Sequence, residues 1–176
     1  MIQQHGGGIH GRIKRKGLSG LRVFIAGHTT AHDARLDDPR SFPAWQSATD
    51  AQLPICVQVR APGLPQLETL LQRFPKARVV LDHMARPVAD DAEGLFALAK
   101  YPNLYLKLTT HNFRDIKEPR FFRRVIERFG AARMAWGSNY PASAGALSAL
   151  LAEARALLPE AEHEQIFSRT AKSLYR

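Results

Sequence analysis

Hydrophobic and polar positions along this chain switch period repeatedly. From Gly20 onward, short runs rich in β-branched and aromatic residues alternate with longer runs whose apolar residues recur every three or four positions. The short runs predict five strands: LRVFIAG at 21–27, PICVQVR at 54–60, ARVVLDHM at 77–84, LYLKLTT at 104–110 and RMAWGSN at 133–139. Enough chain separates each pair for one crossover helix, as parallel neighbours require, so the order reads as βαβ units around a parallel sheet.

The longer runs carry helix punctuation. Pro43, Pro65 and Pro119 suit first-turn positions, where a missing N–H costs nothing. Phe121, Phe122, Val125, Ile126 and Phe129 form one apolar face before Gly130, a natural stop residue. Leu147, Leu150, Leu151, Ala154 and Leu158 form another after Ser143, a candidate N-cap, and a last helix is expected from about 160 to 174.

Within the strands, alternate residues point to opposite faces. One parity is apolar: Leu21, Val23 and Ile25; Ile55, Val57 and Val59; Leu106 and Leu108; Met134 and Trp136. These should pack beneath the helices. The other parity carries Arg22, Gln58, Arg60, Lys107, Thr109 and Asn139, a polar interior of the kind found where a (β/α)8 barrel places its chemistry. The third strand is harder to phase, because both parities begin apolar before it ends in Asp82 and His83.

Composition narrows the class. At 45% hydrophobic and 23% charged residues, 176 residues suit one globular unit rather than a disordered chain. No apolar run reaches the ~20 residues of a membrane span, and the first residues lack the apolar middle of a secretory signal, so a cytoplasmic location is expected. Cys56 is the single cysteine, which excludes an internal disulfide or a cysteine-built zinc site. The net charge of +9 raises the question of nucleic acid, but no acidic residue precedes Asp33 and the basic arm has no interleaved aromatic to stack on bases. A solvated leader over residues 1–17 is the favoured reading, with residues 18–176 as the folded unit.

VVLDHMARP, YPNLYLKLTT, RFGAARMAWGSNYP and IFSRTAKSLYR, in that order and spacing, resemble the C-terminal part of the amidohydrolase-related family, which includes lactonases and aminocarboxymuconate-semialdehyde decarboxylase. The resemblance implies an incomplete TIM (β/α)8 barrel in which the five strands are the fourth to eighth. It also implies a hydrolase acting on a lactone or similar small carboxylated cyclic ester. The alternatives are a non-oxidative decarboxylase on the same barrel and a catalytically incomplete fragment without activity.

Under this resemblance His83 is the residue that polarises or protonates substrate, and an imidazole there is also able to ligate a metal. Asn139 departs from the aspartate common at its position. An amide neither ionises nor ligates strongly, so it would orient water or substrate. Lys107, Gln58, Arg60, Arg86, Thr109 and Tyr140 are the substrate-binding candidates, with Asp82 available as a counter-charge to Lys107, and the expected partner is an anionic small molecule. His28, His32 and His111 are expected in loops after strands. Family enzymes open with an H-x-H strand end that binds a divalent metal such as zinc, and no such pair occurs here. No metal site beyond His83 is therefore assigned. A complete barrel takes about 250 residues, so the chain is short by about three strands, and an open arc would expose two sheet edges to self-association.

Overall fold

The computed structural model describes residues 18–24 and 35–175. The expectations for the leader, Ile25, His28 and His32 lie outside the described residues.

Five parallel strands form a single open sheet in sequence order: β1 (Leu21–Phe24), β2 (Ile55–Gln58), β3 (Val79–Asp82), β4 (Leu104–Thr109) and β5 (Met134–Gly137). Helices occupy the crossovers, α1 (Phe42–Asp50), α2 (Leu64–Arg73), α3 (Glu93–Ala97), α4 (Thr110–Ile116) and α5 (Pro119–Phe129), and α6 (Leu147–Leu157) follows β5. A helical run over 160–174 follows, containing a π-helical stretch Gln165–Arg169 and ending in α7 (Thr170–Leu174). This is part of a TIM-type barrel.

β3 and β5 are shorter than their apolar runs because flanking residues turn into 3-10 helices, His83–Ala85 after β3 and Ala131–Arg133 before β5. The three prolines stand in the first turns of α1, α2 and α5. Ser143 does not cap α6, whose N-cap is Ala146; instead its backbone N–H donates to the Asn139 carbonyl at 2.9 Å. Leu147 accordingly falls at the helix start and is exposed, while Leu150, Ala154 and Leu158 are buried.

The register fixes the two faces. Val23, Val57, Leu81, Leu106 and Met134 align across the sheet on the outer face. They pack under Leu67, Leu70, Phe121, Phe122 and Val125 from α2 and α5. Burial is worth roughly 1.5–3 kcal/mol for each large apolar side chain removed from water. Asp82, Lys107 and Ala135 align on the opposite, concave face, as do Thr109 and Gly137. The central strand β3 is buried on both faces, which is why its phase could not be read from sequence.

Arg133 ties the crossovers to the sheet. Its guanidinium donates to the carbonyls of Phe129, Tyr101 and Ala99 at 2.7, 2.7 and 3.0 Å, satisfying groups that the ends of two helical segments leave open.

Candidate active site

The concave face carries a charged layer built from three strands. Asp82 ends β3 fully buried, with Lys107 Nζ 2.6 Å from Oδ1 and Arg22 Nη2 donating to Oδ2 at 2.8 Å. Arg22 also donates to Gln58 Oε1. A buried carboxylate needs such partners, and the two cations retain contact with solvent. Gly137 makes room for this layer: a Cβ there would lie 3.1 Å from Lys107 Cε, so the lysine stem runs across the glycine to reach Asp82. Cys56 faces the same side. Burial and then the Asp82 charge push its thiol up to about 11.

His83 follows directly. Residues His83, Met84, Ala85 and Arg86 all have positive φ, between 51° and 60°, forming a left-handed turn without a glycine. For L-residues this costs about 1–2 kcal/mol each. Met84 and Ala85 are buried, and the His83 carbonyl accepts from both Arg86 N at 2.8 Å and Asn112 Nδ2 at 2.7 Å. The turn swings the imidazole over the end of the concave face. Nδ1 lies 2.7 Å from Thr109 Oγ1, and Nε2 lies 3.9 Å from Asp82 Oδ2 with no hydrogen-bond partner among the described residues. Burial lowers the imidazole pKa; the Asp82 charge opposes this, while Lys107, His111 and Arg22 add to it. His83 is therefore held toward its neutral form.

Thr109 caps α4. Its side chain accepts from the Asn112 backbone while the Asn112 side chain accepts from Thr109 N at 2.9 Å, a reciprocal capping box. The cap draws His111, expected in a loop, into the first turn of α4, where its ring meets His83 edge to face at 5.7 Å between centroids.

The remaining predicted residues separate into two groups. Lys107, Gln58 and Thr109 belong to the concave cluster with His83, although Thr109 is fully buried behind the imidazole. Asn139, beyond β5, adopts φ 58° and its Nδ2 donates to Ser143 Oγ at 3.4 Å. Arg60 is exposed beyond β2. Arg86 is directed by the left-handed turn to Asp115 on α4, at 2.8 Å. Tyr140 is 70% exposed, its backbone N–H held by Ser138 Oγ at 3.1 Å. Sequence reasoning passed over Asn112, which touches both His83 and Thr109. The T-x-x-N spacing after β4 was the available signal for it.

A divalent metal does not fit the donors described here. Among the described residues no three His, Cys, Asp or Glu side chains converge on one point. Both Asp82 oxygens face cations, and Asn139 offers only a neutral amide.

Parallel strands, outer helices and polar groups gathered at the C-terminal strand ends define part of a barrel of the (β/α)8 class. The sequence profile of the amidohydrolase family, described as "Amidohydrolase", matches residues 9–176, and the chain belongs to that family. It is 32% identical over 137 residues to L-fucono-1,5-lactonase of Burkholderia ambifaria, covering 70% of this chain and 46% of that protein. A structure from Pseudomonas putida assigned as a 2-pyrone-4,6-dicarboxylic acid hydrolase superposes with TM-score 0.76 at 18% identity, over 93% of this chain and 65% of that one. An amidohydrolase from Burkholderia multivorans with bound zinc superposes with TM-score 0.64 at 20% identity, over 89% and 63% respectively. The chain thus spans about half the length of the lactonase and about two thirds of each of the two structures.

Proposed function

We propose that this chain carries the His83 half of an active site that hydrolyses a lactone or similar small cyclic ester. The observation carrying the reading is the imidazole of His83, held at the end of β3 with Nε2 free of protein partners among the described residues and Lys107 in the adjacent strand. The similarity to a lactonase supports hydrolysis over decarboxylation.

In this reading water adds to the lactone carbonyl while His83 Nε2 takes one of its protons. The ring C–O bond then breaks, the proton passes to the departing oxygen, and a hydroxy acid is released. A neutral imidazole is the form able to begin this sequence, and burial favours that form. The Asn139 amide orients water or substrate. Arg22 and Lys107, two cations on one carboxylate, leave a net positive face suited to an anionic substrate. Gln58, Arg60, Arg86 and Tyr140 are proposed contributors to substrate binding, with Arg86 required to leave Asp115 to do so. The separation of a leader at 1–17 from the unit at 18–176 and the cytoplasmic location are likewise proposals; no helix among the described residues is long and apolar enough to cross a membrane.

The test is acid release from five- and six-membered sugar lactones and from pyrone carboxylates, followed with a pH indicator. Loss of about 100-fold or more in kcat/KM on His83→Ala is expected. Unchanged turnover in that variant would remove His83 from the reaction.

A further inference from the structure

Resting on His83 as the proton-transfer residue, we infer that Thr109 and Asn112 act as one positioning pair that places the imidazole proton on Nδ1 and leaves Nε2 as an acceptor. Neither residue need touch substrate.

Donors and acceptors around Thr109 Oγ1 fix the tautomer. Asn112 Nδ2 donates to the His83 carbonyl at 2.7 Å, which fixes the amide with Oδ1 turned toward Thr109. Oδ1 accepts the Thr109 backbone N–H at 2.9 Å and lies 3.2 Å from Thr109 Oγ1. An amide oxygen only accepts, so at that contact the threonine hydroxyl is the donor. The hydroxyl has a single hydrogen. With it committed to Oδ1, the two lone pairs of Oγ1 accept the Asn112 backbone N–H of the capping box and the Nδ1–H of His83 at 2.7 Å. The hydroxyl hydrogen and both lone pairs of Thr109 Oγ1 are then all used. The opposite tautomer would turn the hydroxyl to Nδ1 and forfeit its bond to Oδ1, in a place where Thr109 and Asn112 are shut off from water. The nearby carboxylate exerts a contrary pull, since Asp82 favours a proton on Nε2. At 3.9 Å it is beyond hydrogen-bond distance, and Lys107 and Arg22 already neutralise it.

The same pair holds the ring in place. The His83 carbonyl sits at the start of the left-handed turn, and Asn112 Nδ2 anchors it from α4. The capping box therefore serves two purposes: it ends β4 in a helix, and it clamps a strained turn from the neighbouring strand.

The direct test is ¹⁵N NMR of the histidine ring nitrogens in the purified protein at a pH where His83 is neutral, with the resonances assigned by their loss in His83→Gln. A protonated Nδ1 and a bare Nε2 are expected. A proton on Nε2 in the unaltered protein would overturn the inference, without recourse to a variant that might misfold. Thr109→Val should move the proton largely to Nε2 and lower kcat at least tenfold with KM within about twofold, and Thr109→Ser should restore both. An unchanged nitrogen pattern in Thr109→Val would equally overturn it. Asn112→Asp separates positioning from capping: it preserves an acceptor for Thr109 N but removes the donor to the His83 carbonyl. A carboxylate buried against the His83 carbonyl should lower the melting temperature by several degrees, so kcat is compared at matched folded concentration, where it should fall at least tenfold; unchanged kcat would reduce Asn112 to a cap. Failure of the functional reading is distinguishable, because it would leave His83→Ala active whatever the ring nitrogens show.

Discussion

The Asp82 layer makes the sharpest energetic prediction. Asp82→Asn preserves shape and an acceptor for Arg22 but leaves Lys107 Nζ, now 2.6 Å from a neutral group, without its counter-charge. Breaking a fully buried pair costs about 3–5 kcal/mol, whereas an exposed pair is worth about 0–1 kcal/mol. This pair is intermediate, because Asp82 has no exposure while the Lys107 side chain is 30% exposed and Arg22 57%. The expected loss is about 2 kcal/mol, or a fall in Tm of about 4–8 °C for a chain of this size. Lys107→Met should cost at least as much, because it strands part of a carboxylate that has no access to water. The double variant Asp82→Asn with Lys107→Met removes the mismatch and should be less damaging than the sum of the single variants by about 1 kcal/mol or more. Urea unfolding followed by tryptophan fluorescence reads all four proteins, since Trp45 is buried in the core and Trp136 packs on Phe167. Single-variant losses that add within about 0.5 kcal/mol would refute the account of Asp82 and Lys107 as a coupled pair.

Three further outcomes are expected. Cys56 should react slowly with thiol reagents at pH 8 and rapidly once urea unfolds the chain; its raised pKa also means that stability should fall as pH climbs from about 9 to about 11, because the unfolded thiol loses its proton first. Rapid labelling of the folded protein would contradict the burial. Arg133→Ala should cost about 2–3 kcal/mol in denaturant unfolding by orphaning the carbonyls of Phe129, Tyr101 and Ala99, and Arg133→Lys should rescue only part of this. The pH profile of kcat/KM should rise as His83 loses its proton and level off below the ordinary histidine range, because burial lowers that pKa; a profile falling with pH across this range would assign His83 the opposite role.

Much of the architecture was legible because its signals are local. The prolines at 43, 65 and 119 and the apolar face of α5 could be read off as they stand, and strand parity separated Lys107 from Leu106 and Leu108. The phase of β3 was not legible, since a strand buried on both faces loses the alternation that reveals phase. The site was legible only where a residue's role depends on its own strand. Asp82 and Lys107 follow from register, and their pairing was anticipated. Arg86 turns to Asp115 because four left-handed residues precede and include it, and without a glycine nothing in the text marks that turn. Asn112 could be recognised as a cap from spacing, but its grip on the His83 carbonyl depends on two strands meeting in space. Ser143 had the composition of a helix cap and took a different part, because Asn139 at φ 58° bends the chain so that Ser143 closes that bend.

The role of His83 is tested by the rate of acid release from L-fucono-1,5-lactone and related sugar lactones by the purified protein, measured beside His83→Ala at matched folded concentration. With His83 as the proton-transfer residue, turnover falls about 100-fold or more in the variant while its Tm stays within a few degrees. Lactone hydrolysis proceeding equally in both proteins would contradict it.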